Sequence, residues 1–145
     1  MAYKGKYTPK NVEKYVGNHE NVVYRSLWER NTFRWLDSND SIVAWNSEEI
    51  VIPYLCKTDN AIHRYHVDIW FKTKENKTYL IEIKPKKQMS PPKTPKRKDQ
   101  KYLTEQLIFV KNQCKWKAAK EFALDNGWEF QVWNEDTLRS LGIKV

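Results

Sequence analysis

Apolar positions follow two different periods along the 145-residue chain. From Val22 to Ser38 the period is helical. Val22, Ser26, Glu29, Phe33 and Leu36 share one stripe, widened by Leu27, Trp28 and Trp35. Asp37, Ser38, Asn39 and Asp40 end that helix with turn formers. Runs rich in Ile, Val, Tyr and Trp then follow at Ile42–Trp45, Ile50–Tyr54, Tyr65–Phe71 and Tyr79–Lys84 and read as strands. Polar turns such as 57–60 and 74–77 separate them. Pro85, Pro91, Pro92 and Pro95 stand among lysines, so 85–98 is a loop rather than a regular element. The strongest helical period runs from about Lys101 to Asn126, with Leu103, Leu107, Val110, Cys114, Ala118 and Phe122 on one apolar stripe and Gly127 as its stop. Trp128–Trp133 alternates like a strand, and Glu135–Leu141 forms a short helix closed by Gly142. Residues 1–20 are polar and read as an irregular arm packed over the rest.

This order predicts one domain over residues 1–145, of α/β (α+β) class, with a small mixed sheet flanked by helices. A long helix between Lys84 and Trp128 is a right-handed crossover, so the strands it joins are expected to be parallel. Seven Trp and eight Tyr supply a packed core and exclude a disordered chain. Four Gly and a mean hydropathy of −0.84 exclude low-complexity and membrane-embedded proteins. No stretch approaches the roughly 18 apolar residues of a membrane span, and Met1–Lys6 lacks the apolar centre of a secretory signal. Cys56 and Cys114 form neither a CxxC pair nor a disulfide framework, which suits a reducing compartment.

Charge changes the picture because it is uneven. The chain nets +8, of which +7 lies between Lys84 and Lys101. A near-neutral body with one basic segment suits a polyanion partner, although such a run also serves as a solvated linker. That segment opens where the candidate chemistry lies. Along Tyr79–Lys84, Ile81 and Ile83 face one side while Leu80, Glu82 and Lys84 face the other. Along His66–Trp70, Val67 and Ile69 face one side and Asp68 the other. A hairpin across 72–78 brings Asp68 near Glu82. Two close carboxylates ionise together when a cation lies between them, and hard oxygen ligands favour Mg²⁺ or Mn²⁺. Such an ion, with a nearby ammonium, activates water and offsets charge on a phosphodiester. Taken singly, Glu82 and Lys84 also fit a solvated pair, and Asp68 fits the polar face of an edge strand. Glu29 on an apolar stripe also fits a buried acid paired with Arg25 or Arg64. His19, His63 and His66 show no ligand spacing, and Cys114 reads as core.

Asp68 followed by Glu82, Ile83 and Lys84 resembles the PD-(D/E)xK nuclease core, with Val67 in place of the leading proline. Tyr24–Glu29, Val43–Trp45, Ile52–Tyr54, Asp68–Trp70 and Ile81–Lys86 resemble the TnsA-like endonuclease branch. Within that branch the chain is similar to the head completion nucleases of T-even-type tailed phages. Met1–Lys6, Pro9–Asn11, Lys115–Ala119 and Leu138–Gly142 share in this likeness, which covers essentially the whole chain. The resemblance implies a restriction-endonuclease-like core and metal-dependent DNA hydrolysis yielding 5′-phosphates. Asp68, Glu82 and the backbone carbonyl of Ile83 would hold Mg²⁺, with Mn²⁺ as an alternative. Lys84 would orient the attacking water, and Glu29 would complete the site. It also implies processing of packaged DNA so that heads join tails, with head, portal or neck proteins as partners. The place of action would be the virion head, and the host cytoplasm during assembly; no membrane is involved. The expected DNA grip is Lys86, Lys87, Lys93, Lys96, Arg97, Lys98 and Lys101 on double-stranded backbone, with weak sequence preference. A structural head–tail connector or DNA-binding plug on the same fold is the alternative.

Overall fold

The computed structural model describes residues 4–145. Met1, Ala2 and Tyr3, which open the predicted arm and carry part of the resemblance, lie outside the described residues. Four strands form a central mixed sheet in the order β3 (Ile42–Asn46), β6 (Ile69–Thr73), β7 (Thr78–Ile83) and β8 (Glu129–Trp133). The first three run antiparallel, and β8 lies parallel to β7. The connection between β7 and β8 carries α2 (Gln100–Asp125), as the crossover reading required. A hairpin of β4 (Val51–Cys56) and β5 (Ala61–His66) stands apart as its own sheet.

Both faces of the sheet are covered. Beneath α1 (Leu27–Ser38) and α3 (Glu135–Ser140), Phe33, Leu36, Trp45, Ile69, Phe71, Ile81, Ile83, Trp133 and Leu138 form one core. On the other face Leu80 packs with Ile52, Tyr54, Tyr65, Val67, Ala119 and Ala123, joining the hairpin to α2. Each large apolar side chain buried this way contributes about 1.5–3 kcal/mol. Among the described residues no helix is long and apolar enough to cross a membrane.

Four local expectations are corrected. The first helix begins at Leu27 rather than Val22, because Val22–Tyr24 is strand β2, paired with β1 (Gly5–Tyr7) inside the expected irregular arm. Ser26 caps the helix by accepting the Glu29 N–H at 3.2 Å. The predicted strand Tyr65–Phe71 is broken at Val67 and Asp68, where the chain leaves the hairpin for the central sheet. Val67 and Ile69, expected on one side, therefore enter different cores. The basic loop contains a 3-10 turn at Lys86–Met89. Finally, α2 buries Tyr102, Asn112, Ala119 and Ala123, whereas Leu103 and Leu107 of the predicted stripe are 46% and 56% exposed. At 1.5 Å per residue α2 is about 39 Å long, and strands of this size span about 17–20 Å. Its first half outruns the sheet, so Tyr102 and Asn112 are buried there while Leu103, Leu107 and Ile108 stay exposed.

Candidate active site

Strand register builds the site first. Ile69 pairs with Ile81 and Trp70 with Leu80, which leaves Asp68 and Glu82 as the residues next to the last rung of the ladder. Asp68 Oδ2 accepts the Ile83 N–H at 2.8 Å, which clamps the carboxylate across the end of β7. Glu82 is buried, accepts a hydrogen bond from the Tyr65 hydroxyl, and lies 3.8 Å from Lys84 Nζ. The third acid comes from the start of α1. Glu29 Oε2 accepts the Arg25 N–H at 3.2 Å and the Ser26 hydroxyl at 3.3 Å. This is a variant of the capping box in which Glu29 reaches the N–H one residue before the cap, and its Ser-x-x-Glu spacing is legible in the sequence. The Arg25 guanidinium goes instead to Glu48, at 2.8 Å and 3.2 Å. Glu29, Ile83, Lys84 and Gln88 line a cleft of about 740 Å³ between the start of α1 and the end of β7.

Burial governs the electrostatics. Asp68 keeps some surface exposed, yet protein atoms crowd its carboxyl. That crowding, with the nearby charges of Glu82 and Glu29, pushes its pKa well above the ordinary carboxylate range. Glu82 is raised by burial, against the pull of Tyr65, Lys84 and Lys115. Glu29 is raised by burial despite its two capping bonds. Three carboxyls driven towards their neutral forms, chiefly by burial, gain most from a cation of two charges. The donors are all hard oxygens, which suits Mg²⁺ better than a soft metal.

The structure thus brings Glu29, Asp68, Glu82 and Lys84 to one strand end. It does not treat the basic segment as one unit. The Lys86 ammonium lies 2.8 Å from Asp136, and its N–H donates to Glu135 at 2.7 Å, tying it to the start of α3. Lys87, Lys93, Lys96, Arg97, Lys98 and Lys101 are exposed.

Sequence reasoning missed Tyr65 and Lys115, which reach the site from β5 and α2. Lys115 Nζ lies 5.6 Å from the centre of the Tyr65 ring. Burial lowers its pKa, against the attraction of Glu82. It also missed a second cluster. Cys56, Asp59 and His63 at the tip of the hairpin hold ligand-type atoms within 4.8 Å of one another, although the histidines show no obvious ligand spacing. Here His63 Nε2 lies 2.7 Å from Asp59 Oδ2, and Cys56 Sγ 2.9 Å from the Thr58 hydroxyl.

Residues 39–135 match the family described as TnsA-like endonuclease N terminal. The head completion nuclease of Enterobacteria phage T4 is 43% identical over 148 aligned positions, covering 99% of this chain and 99% of that protein. No solved structure matches.

Proposed function

The chain belongs to the TnsA-like endonuclease family, and on that premise we propose that it is a Mg²⁺-dependent endonuclease acting on double-stranded DNA. The observation that carries this reading is the convergence of three pKa-raised carboxyls and one lysine at the end of β7. Asp68, Glu82, Glu29 and the backbone carbonyl of Ile83 would hold the ion. When bound, it supplies a Lewis acid for the phosphoryl oxygen and lowers the pKa of a bound water. Lys84, beside Glu82, orients the attacking water and offsets charge on the phosphate. The exposed cations from Lys87 to Lys101 grip the backbone of the duplex and read little of its sequence. Products carry a 5′-phosphate.

Likeness to a head completion nuclease over nearly the whole chain supports a role in finishing packaged phage heads. Head, portal or neck proteins are then its partners, in the virion head and in the host cytoplasm during assembly. The test is plasmid cleavage, linear and circular, with Mg²⁺, Mn²⁺ or EDTA. Cutting with either metal, lost with EDTA and in both Asp68→Ala and Lys84→Ala, is expected. Cutting that survives both substitutions overturns the site. DNA binding without cutting supports a connector or plug instead.

A further inference from the structure

The buried stripe of α2 contains a lysine. Asn112, Ala119 and Ala123 are at most 5% exposed, and Lys115 falls between Asn112 and Ala119 at spacings of three and four residues. Ala119 and Ala123 are small, so the helix lies close against the sheet face that carries Leu80 and Glu82. Lysines are rarely buried unless paired. Yet among the described residues Lys115 makes no ion pair within 4.0 Å. Its ammonium stands over the ring of Tyr65 instead, and the hydroxyl of that ring holds Glu82. A half-buried cation has been brought to the edge of the acid cluster, on a different element from Lys84, and has closed on no carboxylate. The buried side-chain amide nitrogen of Asn112, one turn earlier on the same stripe, likewise has no partner.

We propose that Lys115 is a second cation of the nuclease site, which donates to a non-bridging oxygen of the phosphate being cut. The inference rests on the endonuclease reading above. Lys84 serves the water from the β7 side, and Lys115 approaches the phosphate from the α2 side. Tyr65 is a positioning residue, since its ring supports Lys115 while its hydroxyl aims Glu82. Negative charge grows on the non-bridging oxygens as water attacks phosphorus and the 3′-oxygen leaves. An ammonium held in place at the half-buried flank of the site is worth most at that moment. α2 follows directly on the basic loop, so the element that grips DNA runs straight into the one that reaches the reacting phosphate.

The experiment is single-turnover cleavage of a linear duplex with Mg²⁺, alongside DNA affinity measured in Ca²⁺ and thermal melting. Lys115→Met keeps the length of the side chain and removes the charge. It is expected to slow cutting by about 10²-fold, to leave affinity within about twofold, and to hold or raise the melting temperature, because a half-buried charge without an ion pair is gone. Lys115→Arg is expected to recover part of the rate. Lys117→Met, an exposed lysine on the same helix, is the control and should cut normally. A Lys115→Met rate within twofold of the parent protein overturns the proposal, as does an equal loss in Lys117→Met or no recovery with arginine. Failure of the parent protein itself to cut removes the nuclease reading and this inference with it. Normal parent cutting with an unaffected Lys115→Met removes this inference alone.

Discussion

Asp59 and Asp68 lie nine residues apart and are driven in opposite directions. Asp59, at the tip of the β4–β5 hairpin, is exposed and hydrogen-bonded to His63, which holds its pKa below the usual value. Asp68, at the junction of β5 and β6, is raised by burial and by two other acids. The first carboxylate has its partner within the chain. The second has an N–H donor and the pull of Lys84, outweighed by burial and like charges. Ligand-type atoms crowd within 4.8 Å of one another at Cys56, Asp59 and His63, so proximity alone is a poor guide to chemistry. An unmet charge is the better one.

The largest expected break in this comparison is catalytic. Asp68→Asn or Glu82→Gln should slow plasmid cutting by at least about 10²-fold, the scale lost when one transition-state stabiliser is removed. Asp59→Asn and His63→Ala should leave it unchanged, and comparable losses in both clusters would erase the distinction. Among the cations the same contrast is smaller. Replacing Lys93, Lys96, Arg97 and Lys98 with Gln should flatten the slope of log affinity against log salt by up to about 3.6, at about 0.9 per lost phosphate contact. Lys86→Gln should leave the slope alone, because Asp136 already holds that ammonium. Titrating DNA by fluorescence anisotropy at several salt concentrations reads both.

Stability against pH sharpens the comparison further. In metal-free protein, Asp68, Glu82 and Glu29 have folded pKa values above their unfolded ones. The folded state then holds protons more tightly, so their contribution is full at or below the ordinary carboxylate range. It is lost as pH rises through the raised values. Asp59 runs the other way: its contribution is present above its unfolded pKa and is lost as pH falls through the lowered one. Melting curves in EDTA should therefore fall as pH rises above the carboxylate range. Asp68→Asn should flatten that fall, and Asp59→Asn should not. The smallest effect belongs to α2. Leu107→Ser on its first half should shift stability by no more than about 0.5 kcal/mol, measured by urea unfolding, because that side chain is already mostly exposed.

Element order, the parallel β7–β8 pair and the approach of Asp68 to Glu82 were legible because each rests on local period or on short register. Glu29 was legible as an acid on an apolar stripe. Its Ser26 cap was missed because Val22 and Ser26 themselves continued the helical spacing back into what is a strand, and pairing with Gly5–Tyr7 overrode that local preference. The face of α2 was legible in its second half, where Cys114, Ala118 and Phe122 pack on the hairpin core, and misread in its first, where Leu103 and Leu107 stay exposed beyond the sheet. Tyr65 and Lys115 carry no signal of their own. One lies in a hairpin and the other 50 positions later in a helix, and only the tertiary fold brings them together.

Glu29 holds the start of α1 through the Arg25 N–H and the Ser26 hydroxyl while standing in the acid site. Asp68 gives the metal-free fold a clamp that an asparagine oxygen would supply equally well, without a buried charge. The two acids therefore differ in how they would fare in a lineage released from selection for cutting DNA. Asp68 would drift early, because its loss relieves the protein. Glu29 would persist as a helix cap, an acidic remnant of a site no longer in use.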